Sequence, residues 1–76
     1  MSSSIYHQKA KEYLELARTK IKLNEFNAAA IEVLKADGFA IKTGYMHDVY
    51  KVDELRRELI ERHGVNWNVA LKEAGL

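Results

Sequence analysis

Along the first third of the chain, apolar and small side chains recur at steps of three or four residues, with charged residues between them. Such spacing places them on one face of an α-helix, which completes a turn about every 3.6 residues. The sequence therefore predicts an amphipathic helix over residues 5–23. The residues of its apolar face are Tyr6, Ala10, Tyr13, Leu14, Ala17 and Ile21.

A second helix is predicted over residues 25–36, where Phe26 and Val33 belong to the apolar face. Asn24 stands where an N-cap would, because its short side chain accepts hydrogen bonds from the free N–H groups of a first turn. Gly38 is predicted to end this helix, since glycine readily adopts the left-handed conformation found after many helices.

Residues 39–52 are rich in β-branched and aromatic side chains, which favour extended structure. They predict two strands, residues 39–43 and 48–52, joined by a turn at residues 44–47. Two strands alone are marginal in water, so we expect helices to cover one face of this hairpin.

Two further helices are predicted towards the C-terminus. Asp53 is expected to cap a helix over residues 54–63, which Gly64 ends. Asn66 is expected to cap a short helix over residues 67–74.

The predicted order is helix, helix, β-hairpin, helix, helix, with the two-stranded antiparallel hairpin packed on the helices. Segregated helices and strands are typical of the α+β class. A chain of 76 residues has room for one domain. We therefore expect one α+β domain over residues 5–76, after a flexible tail of residues 1–4.

The composition indicates a cytoplasmic protein. The chain has no Cys, which excludes disulfides and thiolate metal sites, and secreted domains of this size usually need such crosslinks. Residues 1–4 lack the basic start of a secretory signal, and no apolar run approaches a membrane span, so we expect no membrane partner. A compact chain of this kind suits a bacterial or phage source.

No motif for catalysis is present. His7, His47 and His63 share no metal-ligand spacing, and the glycines are scattered rather than gathered in a phosphate-binding loop. All serines lie in residues 1–4, which argues against a serine nucleophile. We expect no enzyme, no cofactor and no metal site.

One nucleic-acid hypothesis rests on the two C-terminal helices, whose short turn contains Gly64 and resembles that of a helix–turn–helix. Asn66 and Lys72 would then contact DNA, since Asn can bind adenine edges and Lys can bind phosphates. Any helical hairpin gives the same outline, and the sequence favours that simpler interpretation.

A second nucleic-acid hypothesis treats the hairpin as the wing of a winged helix, flanked by Lys42 and Lys51. The preceding helix argues against it, because Glu25, Glu32 and Asp37 on its outward side would repel phosphates. That acidic side favours a protein partner instead.

The run from Ala36 to Leu55 resembles the segment of small winged-helix regulators that leads from the wing into the next helix. The likeness covers about a quarter of the chain and does not include the basic helix with which that family contacts DNA. It therefore implies no binding residue here.

The most concentrated positive charge lies on the first helix. Lys11, Arg18 and Lys22 follow one another at steps of seven and four residues and so share an edge of that helix. Together with Lys42 or Lys51 they could bind phosphates without sequence preference. The alternative, a solvated helix face that confers solubility, is slightly favoured.

Aromatic and sulfur-containing side chains at exposed positions are enriched at protein interfaces. Trp67 begins a short helix, where burial in the core and exposure at an interface are equally expected. The residues predicted to contact a partner protein are Trp67, Asn68, Tyr45, Met46 and His47.

The sequence thus favours a small non-enzymatic protein-interaction module, a regulator or an adaptor. The first alternative is a winged-helix or helix–turn–helix DNA-binding protein. The second is a homodimeric structural protein, since a small core gains stability by burying a shared face.

Overall fold

The computed structural model describes the backbone of residues 2–76 and the side chains of residues 4–76. Of the predicted flexible tail, residues 1–4, Met1 lies outside the described residues, whereas the backbone of residues 2–4 belongs to the first helix. Residues 2–76 form four α-helices and contain no strand, so the predicted α+β fold, its hairpin and the winged helix are wrong. The helices are α1 (Ser2–Lys22), α2 (Phe26–Thr43), α3 (Met46–His63) and α4 (Trp67–Glu73).

Residues 39–43, predicted as a strand, are the last turns of α2. Ala36, Ala40 and Thr43 are buried at steps of four and three residues, so the helical period continues through this segment. Gly38 does not end the helix: it is exposed within α2, and an added Cβ would meet no atom within 4 Å. Burial on one helical face therefore outweighs the preference of β-branched residues for strands.

Residues 48–52, predicted as the second strand, lie in α3. Asp48, Val52, Leu55 and Leu59 are all buried, at steps of four, three and four residues. This spacing again follows the helical period rather than the two-residue alternation of a strand. α3 therefore begins eight residues before the predicted residue 54, at Met46.

The predicted turn at residues 44–47 joins two helices instead of two strands. Gly44 ends α2 with a left-handed backbone, φ 75°, and Tyr45 takes the N-cap position of α3 with an extended backbone. Asp53, predicted as a helix cap, lies inside α3 and pairs with Arg56 and Arg57.

Asn24 closes α1 rather than capping α2. Its backbone is left-handed, φ 61°, and its N–H donates to the carbonyl oxygen of Ile21 at 3.0 Å. The N–H of Glu25 donates to the carbonyl oxygen of Lys20 at 2.8 Å, which completes a Schellman motif. Asn tolerates this conformation better than most residues, so the same short side chain serves the end of the preceding helix.

Two predicted helix ends are confirmed. The Asn66 side chain accepts hydrogen bonds from the N–H groups of Asn68 and Val69 at 3.0 and 3.3 Å, as an N-cap does. Gly64 ends α3 with φ 66°. The turn between α3 and α4 is therefore fixed by residues that the sequence identifies correctly.

The core surrounds α2, which packs against each of the other three helices. Ala29, Ala36 and Ala40 are completely buried, and their small side chains let neighbouring helices approach closely. On α1 the residues Ala10, Leu14 and Ala17 are buried, while half-buried Tyr13 stacks on Phe39 of α2 with ring centroids 5.8 Å apart. None of the helices in the described part of the chain combines the length and apolarity needed to cross a bilayer.

Candidate functional site

Three large apolar side chains are exposed at the N-cap and in the first turns of α3. Tyr45, Met46 and Tyr50 are 54%, 59% and 63% exposed. Met46 and Tyr50 are four residues apart in α3, so they lie side by side on one helical face. These three residues are called the corner surface.

The backbone beneath the corner surface is held by hydrogen bonds. The Thr43 hydroxyl donates to the carbonyl oxygen of Ala40 at 2.7 Å and accepts from the N–H of Tyr45 at 3.1 Å. The ring of His7 on α1 meets the ring of Tyr45 edge to face, with centroids 6.4 Å apart. The corner surface is therefore positioned by three elements: the end of α2, the start of α3 and the first turns of α1.

A cleft of about 410 Å³ lies between α1 and α3, beside the corner surface. Its lining includes Ala10 and Leu14, with Lys11, Arg18 and Lys51 among its charged residues. It is called the cationic cleft, and its remaining lining residues are His7, Glu15, His47 and Asp48.

One end of the cationic cleft is closed by a contact between α1 and α3. Nδ1 of His7 lies 2.9 Å from each carboxylate oxygen of Asp48. Asp48 is buried in the first turn of α3, where a negative charge is also favoured by the helix dipole. This contact joins the two helices across 41 positions of sequence.

The three cations of the cleft have no carboxylate partner. Within residues 4–76, no carboxylate oxygen lies within 4.0 Å of the side-chain nitrogens of Lys11, Arg18 or Lys51. Lys20 and Lys35, by contrast, both pair with Glu32, at 3.7 and 3.4 Å. The cleft therefore holds three cations that form no ion pair and that outnumber its two carboxylates, Glu15 and Asp48.

The position of Glu32 shows that a further prediction, the acidic outward side of the second helix, is wrong. The sequence placed Glu32 with Glu25 and Asp37 on an outward acidic side of the second helix, but it is buried where α2 meets α1, between Lys20 and Lys35. Glu25 is exposed and Asp37 is half-buried, so the three carboxylates do not form one outward acidic side. The argument that this face favours a protein partner therefore fails.

The other residues predicted to contact a protein are divided between the corner and α4. His47 is exposed beside Met46 and lines the cationic cleft. Trp67 is half-buried and packs against the core, whereas Asn68 next to it is exposed. The structure therefore does not bring the predicted α4 residues onto the corner surface.

The residues predicted to contact nucleic acid are dispersed over the molecule. Lys22 lies beyond Arg18 on α1, in a shallower groove against α3. The Nζ atom of Lys42 lies over the ring of Tyr6, 5.4 Å from its centroid, and Lys72 is exposed on α4. Asn66 uses its side-chain oxygen to cap α4. Only Lys11, Arg18 and Lys51 converge on the cationic cleft.

A wider depression continues past Arg18, with a volume of about 530 Å³. Its charged residues balance, because three carboxylates accompany three guanidinium groups. They are Glu54, Glu58, Glu61, Arg18, Arg57 and Arg62.

Sequence reasoning missed Asp48, Tyr50 and the role of His7. The signal for Asp48 was its spacing from Val52 and Leu55, which places it on the buried face once residues 48–52 are helical. The pairing of His7 with Asp48 had no signal in the sequence, since it depends on how α1 and α3 pack.

The described residues contain no group of three or more His, Cys, Asp or Glu side chains arranged to hold a metal ion. No family model, no curated protein and no solved structure matches this chain.

Proposed function

We propose that this chain is a non-enzymatic protein-interaction module of the cytoplasm, a regulator or an adaptor that binds its partner through the corner surface. The observation that carries the proposal is the exposure of Tyr45, Met46 and Tyr50 at one junction between helices.

The composition of the corner surface supports binding to a protein. Tyr and Met are enriched at interfaces, where a large apolar area contributes affinity and the tyrosine hydroxyl keeps a polar contact. Grouped apolar side chains on a small monomer are a recurrent sign of an interaction site. The hydrogen-bonded turn at Thr43 lowers the entropic cost of binding, because its backbone is already ordered.

Charges near the corner surface indicate the chemistry of the partner. Lys51 directly follows Tyr50 and Lys42 stands three residues before Tyr45, and no carboxylate of residues 4–76 pairs with either lysine. A partner that presents an apolar side chain among acidic residues would complement this surface. A second copy of the chain fits less well, because a twofold interface would place these basic residues near their own copies.

A nucleic-acid partner has less support. In a helix–turn–helix, Asn66 would contact bases, yet its side-chain oxygen already accepts two backbone hydrogen bonds. α4, the helix that would enter the groove, has only seven residues. What favours an anionic ligand is the group Lys11, Arg18 and Lys51 in the cationic cleft.

The test compares two triple variants as baits in a lysate of the source cells. The corner variant is Tyr45→Ser, Met46→Ser and Tyr50→Ser. The control variant replaces three exposed apolar residues outside the corner surface: Leu16→Ser, Leu23→Ser and Val69→Ser. We expect the wild type and the control to recover the same protein and the corner variant to lose it.

Circular dichroism would first establish that both variants are folded. A partner that the corner variant retains, or that the control loses equally, would refute the proposal. Sedimentation of the wild type at two concentrations tests the homodimer. A mass that doubles at the higher concentration would show that the partner is a second copy of the chain and not a different protein.

A further inference from the structure

We infer that the cationic cleft between α1 and α3 is a second binding site, which takes a small ligand bearing a pyrophosphate group. This inference is independent of the corner surface, since it rests on the charges and the shape of the cleft.

The positions of Lys11 and Lys51 follow from the contact that closes the cleft. Lys11 lies four residues after His7 on α1, and Lys51 lies three residues after Asp48 on α3. Because His7 and Asp48 touch, Lys11 and Lys51 each lie one helical turn beyond that contact, on the same face of their helix as the contacting residue. Both lysines line the cleft, one from each wall.

Two like charges on opposite walls of one cleft repel each other unless a counter-charge lies between them. Neither lysine has a carboxylate of the described residues within 4.0 Å, and Arg18, two turns beyond Lys11, has none either. The lining also includes two carboxylates, Glu15 and Asp48, so three cations outnumber two acidic groups, and both Asp48 oxygens lie 2.9 Å from Nδ1 of His7. The cleft therefore carries a surplus of positive charge, which a multivalent anion would offset.

The three cations suit a phosphorylated group in particular. Arg18 can donate two parallel hydrogen bonds to neighbouring phosphate oxygens, and the lysines supply compact charges with rotatable donors. Pyrophosphate concentrates several negative charges in a small volume. The cleft, at about 410 Å³, lies within the range of about 300–1,000 Å³ that holds small ligands.

A long polyanion fits the cleft less well than a short one. Past Arg18 the groove between the helices is lined by three carboxylates and three guanidinium groups, so it adds no net positive charge for an extended phosphate backbone. The uncompensated positive charge is therefore confined to the stretch between the His7–Asp48 contact and Arg18. A ligand with one pyrophosphate group covers that stretch, whereas a nucleic-acid strand would continue into a depression whose charges balance.

The test titrates the full chain with sodium pyrophosphate at low ionic strength, by calorimetry and by ¹H–¹⁵N NMR. We expect saturable binding, with the largest shifts at Lys11, Arg18, His47 and Lys51. Each of Lys11→Gln and Lys51→Gln should weaken the affinity by about tenfold, as expected for loss of a charge-assisted hydrogen bond. Lys72→Gln is the matched control, because it removes the same charge outside the cleft and should change the affinity by less than about twofold.

Parallel titrations with ADP, hexaglutamate and oligothymidylate distinguish the ligand classes. ADP binding tighter than pyrophosphate assigns the cleft to a nucleotide, and equal binding assigns it to the pyrophosphate group alone; both support the inference. It is overturned if pyrophosphate does not bind, if Lys72→Gln is as harmful as Lys51→Gln, or if hexaglutamate or oligothymidylate binds and pyrophosphate does not. A Met46→Ser, Tyr50→Ser double variant, which keeps the Tyr45 ring against His7, should retain the wild-type pyrophosphate affinity, so this test and that of the protein interface can fail separately.

Discussion

Two buried carboxylates, Glu32 and Asp48, form specific side-chain contacts between the helices of the fold. Each lies at an interface between helices and has a cationic or potentially cationic partner on α1. A buried carboxylate without a partner is costly, so these contacts fix how α1 sits against α2 and α3. The sequence shows the residue types but not the pairing, because the partners are 12 and 41 positions apart.

The Asp48→Ala variant should lower the free energy of unfolding by about 1–3 kcal/mol, because it removes a buried hydrogen-bonded group from the α1–α3 contact. Urea denaturation followed by circular dichroism would measure the change. Glu54→Ala is the control on the same helix: Glu54 is exposed and pairs with no cation of residues 4–76 within 4.0 Å, so we expect a change within about 0.5 kcal/mol. An Asp48→Ala protein as stable as the wild type would show that the His7 contact contributes nothing to the fold.

At the scale of elements, the sequence predicted α1 and α4 and failed between residues 37 and 53. Asn66 and Gly64 act locally, so their roles can be identified from neighbouring residues alone. The segment from Phe39 to Val52 is different, because its β-branched and aromatic composition favours strands while its apolar spacing favours helices. The spacing prevails, since α2 is surrounded by helices and buries its residues at steps of three and four.

The Gly38→Ala variant tests the continuous α2 directly. An alanine within a helix is about 0.5–1 kcal/mol more favourable than a glycine, and the added Cβ meets no neighbour, so we expect a more stable protein. The same substitution at Gly44 should cost about 1–2 kcal/mol, because that backbone is left-handed with φ 75°. Thermal unfolding of both variants would measure the two effects.

Opposite signs at Gly38 and Gly44 are expected only if the helix runs through the first glycine and ends at the second. A destabilised Gly38→Ala protein would contradict the continuous helix.

At the scale of the whole molecule, the sequence identified the parts of the cationic cleft but not the cleft. Lys11, Arg18 and Lys51 were all among the residues predicted to contact nucleic acid, the first two on an edge of the first helix and Lys51 beside the predicted hairpin. They converge because α3 begins at Met46 and its first turns, which carry Lys51, pack against α1. With residues 48–52 in a hairpin, Lys51 would have flanked a turn instead, so the sequence offered it only as an alternative to Lys42 beside Lys11 and Arg18.

The central position of α2 predicts that the protein unfolds in one step. α4 has seven residues, too few to be helical in isolation, so it depends on its packing against α2. Trp67 at the start of α4 is half-buried against the same core, and its fluorescence therefore reports on the docking of that helix. We expect the urea transition followed by Trp67 fluorescence to coincide with the transition followed by far-ultraviolet circular dichroism, which reports mainly on the three long helices. A fluorescence transition at lower urea would mean that α4 undocks while the other helices persist. The protein would then not unfold in one step, and α4 would be separate from the cooperative core around α2.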